Sequence, residues 1–211
     1  MKVRVLKEGR LARPVFDDPT AIISDRHGNL PGPQGNFQQA LACWFLEWYL
    51  PGMYDLIQDG DDYDLLEADD LAGILEATAP YEVRANRRRR TRIVGNHDRA
   101  LLTKYARFTR SWHLVTQIET DDLFVWHGDA LDPVCSGELS WIGEGAARVW
   151  GWIERRGAGP ALSRLKDYVV RQHNRRLVTA SKRGDDNEVW IADAVRRRKI
   201  AYVGAHTHRP E

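Results

Sequence analysis

Five times in this chain a short run of residues capable of strand structure ends in a polar block, and that recurrence limits the fold more than any other feature. Ala21-Ile22-Ile23 leads into Asp25-Arg26-His27-Gly28-Asn29, and Arg92-Ile93-Val94 into Gly95-Asn96-His97-Asp98. Leu123-Phe124-Val125-Trp126 leads into His127-Gly128-Asp129, and Ile200-Ala201-Tyr202-Val203 precedes His206-Thr207-His208. A weaker candidate, Tyr54-Asp55-Leu56-Ile57, precedes Gly60-Asp61. Short apolar stretches bounded by glycine and polar residues read as buried strands. Open α/β sheets place their sites just beyond strand ends. Five of the seven histidines fall inside these blocks, so the histidines are gathered at strand tips rather than scattered.

The segments between the blocks supply the helices of an α/β layout. Phe37, Ala40, Leu41, Trp44, Phe45 and Trp48 recur at helical spacing, which predicts a helix over 36–50 stopped by Pro51-Gly52. A short helix is expected over Leu71 to Ala77, strand character at 81–85 and 91–94, and a helix from Arg99 to Arg107. A hairpin is expected from 112–118 and 122–126 around Glu119-Thr120-Asp121. After His127 the pattern changes to two amphipathic helices, at 138–156 and 160–180, broken at Gly157-Ala158-Gly159-Pro160. A further helix at about 186–197 leads to the last strand. The expectation is a single domain over 1–211, a layered α/β sandwich carrying a helical cap insertion at about 134–198.

Composition narrows the function. At 211 residues and a formal charge of +1, the chain can build one substantial core and has no bulk field that would draw it to nucleic acid. Six arginines between Arg84 and Arg92, and the run Arg196-Arg197-Arg198-Lys199, read as solvated element ends or as a basic rim for an anionic substrate. Two cysteines, Cys43 and Cys135, make no disulfide framework, and both read as small core residues. The amino terminus opens on basic and polar residues rather than an apolar run, and no stretch is long enough to span a bilayer. A cytoplasmic protein with at most peripheral membrane contact is expected. Of the eight tryptophans, Trp44, Trp48, Trp126 and Trp190 read as core, whereas Trp141, Trp150 and Trp152 lie where a cap could line an acyl or base pocket.

The blocks together offer seven ligands. Asp25 and His27, one residue apart, can turn to one metal. Asp61 has two carboxylate oxygens and can bridge two ions, and Asn96 offers a neutral amide oxygen. His127, His206 and His208 add imidazoles. No cysteine takes part, which disfavours a structural zinc site. Adjacent divalent ions clamp the attacking and leaving oxygens of an in-line phosphoryl displacement and lower the pKa of a bridging water.

The ordered set Asp-x-His, Gly-Asp, Gly-Asn-His-Asp, His-Gly-Asp and His-x-His resembles the calcineurin-like metallophosphoesterase superfamily. The resemblance runs from residue 21 to the end of the chain. It implies an α-β-β-α sandwich in which Asp25, His27, Asp61 and His208 hold one metal. Asp61, Asn96, His127 and His206 would hold the other. It implies that His97 stands over the substrate phosphate, as electrostatic stabiliser or leaving-group acid, and is oriented by Asp98. His127 precedes His206 by 79 positions, room for a helical cap, and in this the chain is most similar to UDP-2,3-diacylglucosamine pyrophosphatases. That subfamily typically has Arg where this chain has His97, and usually Gly where this chain has Ala205. Family members usually continue with further strands past the last His, so the expectation is either a fragment or an unusually short member whose sheet lacks edge strands. The implied activity is hydrolysis of a phosphodiester or pyrophosphate bond by a metal-bridging hydroxide, with a nucleotide-linked glycolipid as substrate. The alternatives are a broad phosphatase or nucleotide phosphodiesterase, and a catalytically silent scaffold of the same fold. Two divalent cofactor ions follow, Mn²⁺ first, with Fe²⁺, Zn²⁺, Co²⁺ or Ni²⁺ also chemically suited. Asn29, Arg99 and Trp141 are the candidate substrate contacts.

Overall fold

The computed structural model describes residues 19–28, 33–49, 55–120, 123–129 and 201–204, with isolated helical residues at 144–145, 148–149, 152–153 and 197. Among these residues the fold is mixed α/β, with two sheets. In the first, β1 (Thr20–Ser24), β2 (Asp55–Asp59), β3 (Arg89–Ile93) and β4 (Leu114–Val115) lie side by side in that order, all parallel. In the second, β5 (Ile118–Glu119) pairs antiparallel with β6 (Leu123–Trp126), and β6 pairs parallel with β7 (Ala201–Gly204). Parallel strands need crossover connections, and the helices supply them. They are α1 (Pro33–Trp44, continued by a π turn over Phe45–Tyr49), α2 (Leu65–Ala68), α3 (Leu71–Ala77) and α4 (Ala79–Ala85). Among the described residues no helix is long and apolar enough to cross a membrane.

The parallel sheet is buried on both faces, and the period-two alternation of its strands sorts what each face meets. Ile22, Ile57 and Ile93 pack with Val115, Ile118, Val125 and Val203 in a cluster to which both sheets contribute. Ala21, Ile23 and Leu56 point the other way, onto Leu46 of the π turn and Tyr81 and Ala85 of α4. Leu71, Ile74 and Tyr63 build a third cluster with Val94, Leu101 and Leu114.

Several local expectations change. Residues 81–85 form the last part of α4 rather than a strand. Pro80 sits in the first helical turn, where its missing N–H costs nothing, and Tyr81, Glu82 and Ala85 are buried at helical spacing. Arg99 to Arg107 forms no α-helix. A 3-10 turn covers Arg99–Leu101, and the backbone then continues in three-residue turns such as Thr103 N–H to the Ala100 carbonyl. The hairpin is shorter than expected, because Leu114–Val115 pairs with β3 in the first sheet.

Trp44 and Trp48 are not core residues; their side chains are 48% and 69% exposed. The face of α1 and its π turn that meets the sheet and α4 is the one carrying Ala42, Cys43, Phe45 and Leu46. Small residues there permit close approach, and this turns the tryptophans outward. The arginine run is split between surface and interior, with Arg87 and Arg89 exposed and Arg84 and Arg88 half-buried. Arg90 and Arg92 are buried, Arg89 pairs with Asp55, and Arg84 pairs with Glu47. Of the cap, Glu144, Gly145, Arg148, Val149, Trp152, Ile153 and Arg197 are helical; the rest of that expectation lies outside the described residues. Trp152 is half exposed.

Because Ile57 is fully buried where the two sheets meet, Ile57→Ala should lower stability by about 2–5 kcal/mol. Urea unfolding with an unchanged slope is the measurement, and a loss under 1 kcal/mol would place that position outside a packed core.

Candidate metal centre

Asp25, Asp61 and Asn96 all follow parallel strands, so the strand direction carries them to one edge of the sheet. Beyond that edge the backbones of the first two loops stay in register. The amides of Asp25, His27 and Gly28 donate to the carbonyls of Gly60 (3.2 Å), Asp61 (2.8 Å) and Asp62 (2.9 Å). Within these loops Asp25, His27 and Asp61 have φ of 49°, 46° and 48°. Left-handed backbone at a non-glycine residue costs about 1–3 kcal/mol and concentrates at functional sites. Three of the seven residues singled out as ligands share it.

Asp61 is the meeting point. Its carboxylate accepts the backbone N–H of His97 at 3.0 Å, and its other oxygen lies 3.1 Å from His127 Nε2. The glycines of two blocks make this approach physically feasible. A Cβ at Gly60 would land on the His127 ring, and one at Gly95 would collide with the Asp61 carboxylate and lie 2.8 Å from His127 Cδ2. His127 Nδ1 donates to the Asp59 carbonyl at 3.0 Å, which leaves Nε2 as the nitrogen turned toward Asp61. That is the arrangement a metal-ligating imidazole needs, with the far nitrogen fixed by a hydrogen bond.

Two sets of ligand atoms emerge, each with all members within 4.8 Å of one another: Asp25, Asp61 and His127, and His27, Asp61 and His97. Asp61 belongs to both. The Oδ1 of Asn96 is buried with no hydrogen-bond partner among the described residues. A buried amide oxygen without a partner is costly, and a hard cation would satisfy it. The residues therefore suit a divalent ion in charge, in ligand type and in the orphaned oxygen they present. Their grouping differs from the resemblance at one point, because Asp25 sits with His127 and His27 sits with His97. His206, His208, Asn29 and Trp141 lie outside the described residues. What is described is that β7 runs parallel to β6 with Gly204 opposite Trp126, so it ends beside the strand that delivers His127.

The partner of His97 is a correction. Its Nδ1 lies 2.6 Å from Asp64, not on Asp98. Asp98, fully buried, uses both oxygens to accept the backbone amides of Asp62 (2.9 Å) and Tyr63 (2.8 Å). It therefore shapes the loop after Asp61 rather than the His97 ring. Asp64 also stands 3.8 Å from His27 Nδ1, so one carboxylate serves two imidazoles. The run Asp61-Asp62-Tyr63-Asp64 contained that signal: a third carboxylate, three positions after the shared one. Arg99, expected at substrate, pairs with Asp129 at 2.9 Å, which also gives Asp129 its role.

Charge at the centre follows from these contacts. Burial works against a cationic His97, but the hydrogen bond its Nδ1 donates to Asp64 and the charge of Asp61 outweigh it and raise the ring to about 9. Burial likewise opposes protonation of His127, and its contact with Asp61 carries it up to about 10. Burial would raise Asp61, yet the histidines His127, His97 and His27 hold its carboxyl well below the usual range. Asp59 is pushed up to about 7 by burial, with Asp25 and Asp61 adding to the rise against the opposing pull of His127.

The sign of the His97 effect is fixed by its raised value. The stabilisation from the Asp64 contact is complete below the ordinary histidine value of about 6.5 and lost as pH climbs to about 9. In metal-free protein, NMR should show His97 titrating near 9, and Asp64→Asn should return it toward 6.5; an unmoved His97 would remove Asp64 as its partner. No family model matches this chain, and no curated protein is similar enough in sequence to be counted a relative.

Proposed function

We propose that the chain is a dinuclear metal-dependent phosphoesterase that hydrolyses a phosphodiester or pyrophosphate bond. The observation that carries this reading is the membership of Asp61 in two ligand sets at once. Asp61 is shared between Asp25 and His127 in one set and His27 and His97 in the other, the placement a bridging ligand requires, and within the second set His97 would act on substrate rather than as a ligand. The Asn96 oxygen, without a partner among the described residues, and the His127 Nδ1 fixed on the Asp59 carbonyl support the same reading. The layered α-β-β-α sandwich belongs with it, and the apolar cluster drawn from both sheets is its support.

When bound, two divalent ions would neutralise phosphoryl oxygens and supply a water of lowered pKa. The chain's own contribution is positional and electrostatic. Asp25, Asp61, Asn96 and His127 would hold the ions, with His27 on the Asp64 side of Asp61. His97, whose ring Nδ1 is held by Asp64, would lie beside Asp61, where it would stabilise charge on phosphate or donate a proton to the departing oxygen. Asp98 would serve by holding the amides of Asp62 and Tyr63. Mn²⁺ is the first ion to test, and a nucleotide-linked acyl sugar is the substrate class to set against a simple diester.

With Mn²⁺ added, the protein should hydrolyse bis-p-nitrophenyl phosphate or a UDP-linked acyl sugar, and Asp61→Ala should abolish both turnover and metal binding. His97→Ala should retain the metal while kcat drops by roughly 10²–10⁴. Full activity in Asp61→Ala would refute the reading.

A further inference from the structure

Between the Asp25 and His27 of the proposed centre lies a residue that centre does not use. Arg26 is buried, and its guanidinium meets the loop after Asp61 and helix α4. Nε donates to Asp62 at 2.7 Å, and one terminal nitrogen reaches Glu82 of α4 at 3.5 Å. The guanidinium lies over the Tyr81 ring, 4.0 Å from its centroid, and 5.3 Å from that of Tyr63. Gly28 leaves the space it fills: a Cβ there would come 2.7 Å from an Arg26 nitrogen.

The partners of Arg26 are themselves held. Glu82 accepts from Arg90 at 2.7 Å and from the Tyr63 hydroxyl at 3.0 Å. Gln58 joins Asp62 to the Tyr81 hydroxyl and accepts from Arg90. All of this occupies the helix-facing side of β2 and β3, where Leu56 and Gln58 stand opposite Arg90 and Arg92. Buried ion pairs are weak contributors to stability, since well-packed apolar residues commonly serve as well. The placement of this one is informative. Its two ends are the residue between Asp25 and His27, and the residue directly after Asp61.

We propose that Arg26 is a positioning residue. By clamping Asp62 and Glu82 from beneath, it fixes the loop carrying Asp25 and His27 to the loop carrying Asp61, so the ligands share one frame before any ion binds. The planar fork of arginine can hold two carboxylates and stack on an aromatic ring together, which a lysine ammonium cannot. The role rests on the proposed metal centre, but the clamp itself can be read without metal, from the amides of Asp25, His27 and Gly28 that bridge the two loops.

The test compares Arg26→Lys with Arg90→Lys, a change on β3 in the same network, whose own contact to Asp62 is the longer one, 3.5 Å against 2.7 Å for Arg26. Hydrogen exchange on metal-free protein and Mn²⁺ calorimetry are the two readouts. Arg26→Lys should speed exchange at those three amides by roughly tenfold or more while β3 stays protected. Its Mn²⁺ affinity should fall by about 10–100-fold. Arg90→Lys, which does not touch the loop carrying Asp25 and His27, should lower Tm while changing both readouts by a clearly smaller factor. Should Arg26→Lys fail to fold, Asp62→Asn, which cuts the same clamp from the other loop, should give the same pattern confined to the two loops. Unchanged loop exchange in Arg26→Lys, or equal loosening in both arginine variants, would overturn the proposal. A wild-type protein that binds no Mn²⁺ would instead sink the metal reading, and the exchange result would still decide the clamp.

Discussion

The carboxylate of Asp61 is the constraint on which the rest of the site depends. It is buried, its backbone is left-handed, and it is met by the amide of His97 and the imidazole of His127. Bringing a strand tip of the second sheet against one of the first requires an absence of side chain at Gly60 and Gly95. It also requires the apolar packing of Ile57, Ile93 and Val125, which holds the two sheets at the right separation. A charge this buried would be strongly unfavourable alone. The three histidines around it make the ionised form the stable one, and in doing so define a place where positive charge is wanted.

Beneath that place the protein departs from the pattern of an ordinary parallel sheet. Central parallel strands are usually continuous apolar runs, yet β2 and β3 here contribute Gln58, Arg90 and Arg92 to a buried polar layer against α4. The loops carrying Asp25, His27 and Asp61 are tied to that layer through Arg26 and Asp62. Oily packing would let two loops slide relative to one another at little cost, whereas directional hydrogen bonds give them a single register. A strained, left-handed backbone persists only where its surroundings over-determine it, and the polar layer together with the inter-loop amide ladder provides that surplus.

Much of this was legible in the residues. The strands β1, β2, β3, β6 and β7 were marked by their apolar content and polar ends, and helix α3 by the spacing of Leu71 and Ile74. The nearness of Asp25, His27, Asp61 and His127 followed from placing each at a strand tip. The partner of His97 was not legible, because Asp98 is adjacent in sequence while Asp64 is adjacent in space. Arg90 and Arg92 read as surface by residue type alone. Their burial became intelligible only with Glu82 on a helix, and 81–85 looks like a strand because Tyr81 and Val83 alternate. Trp44 and Trp48 misled for a similar reason: two apolar stripes run along α1, and the small residues Ala42 and Cys43 decide which one faces the sheet.

The most direct measurement is anomalous scattering from a crystal of the protein grown or soaked with Mn²⁺, collected on both sides of the metal's absorption edge. The account predicts two peaks about 3.5–4 Å apart with the Asp61 carboxylate between them, one near Asp25 and His127 and the other near His27. A single peak remote from Asp61, or none at saturating Mn²⁺, would contradict it.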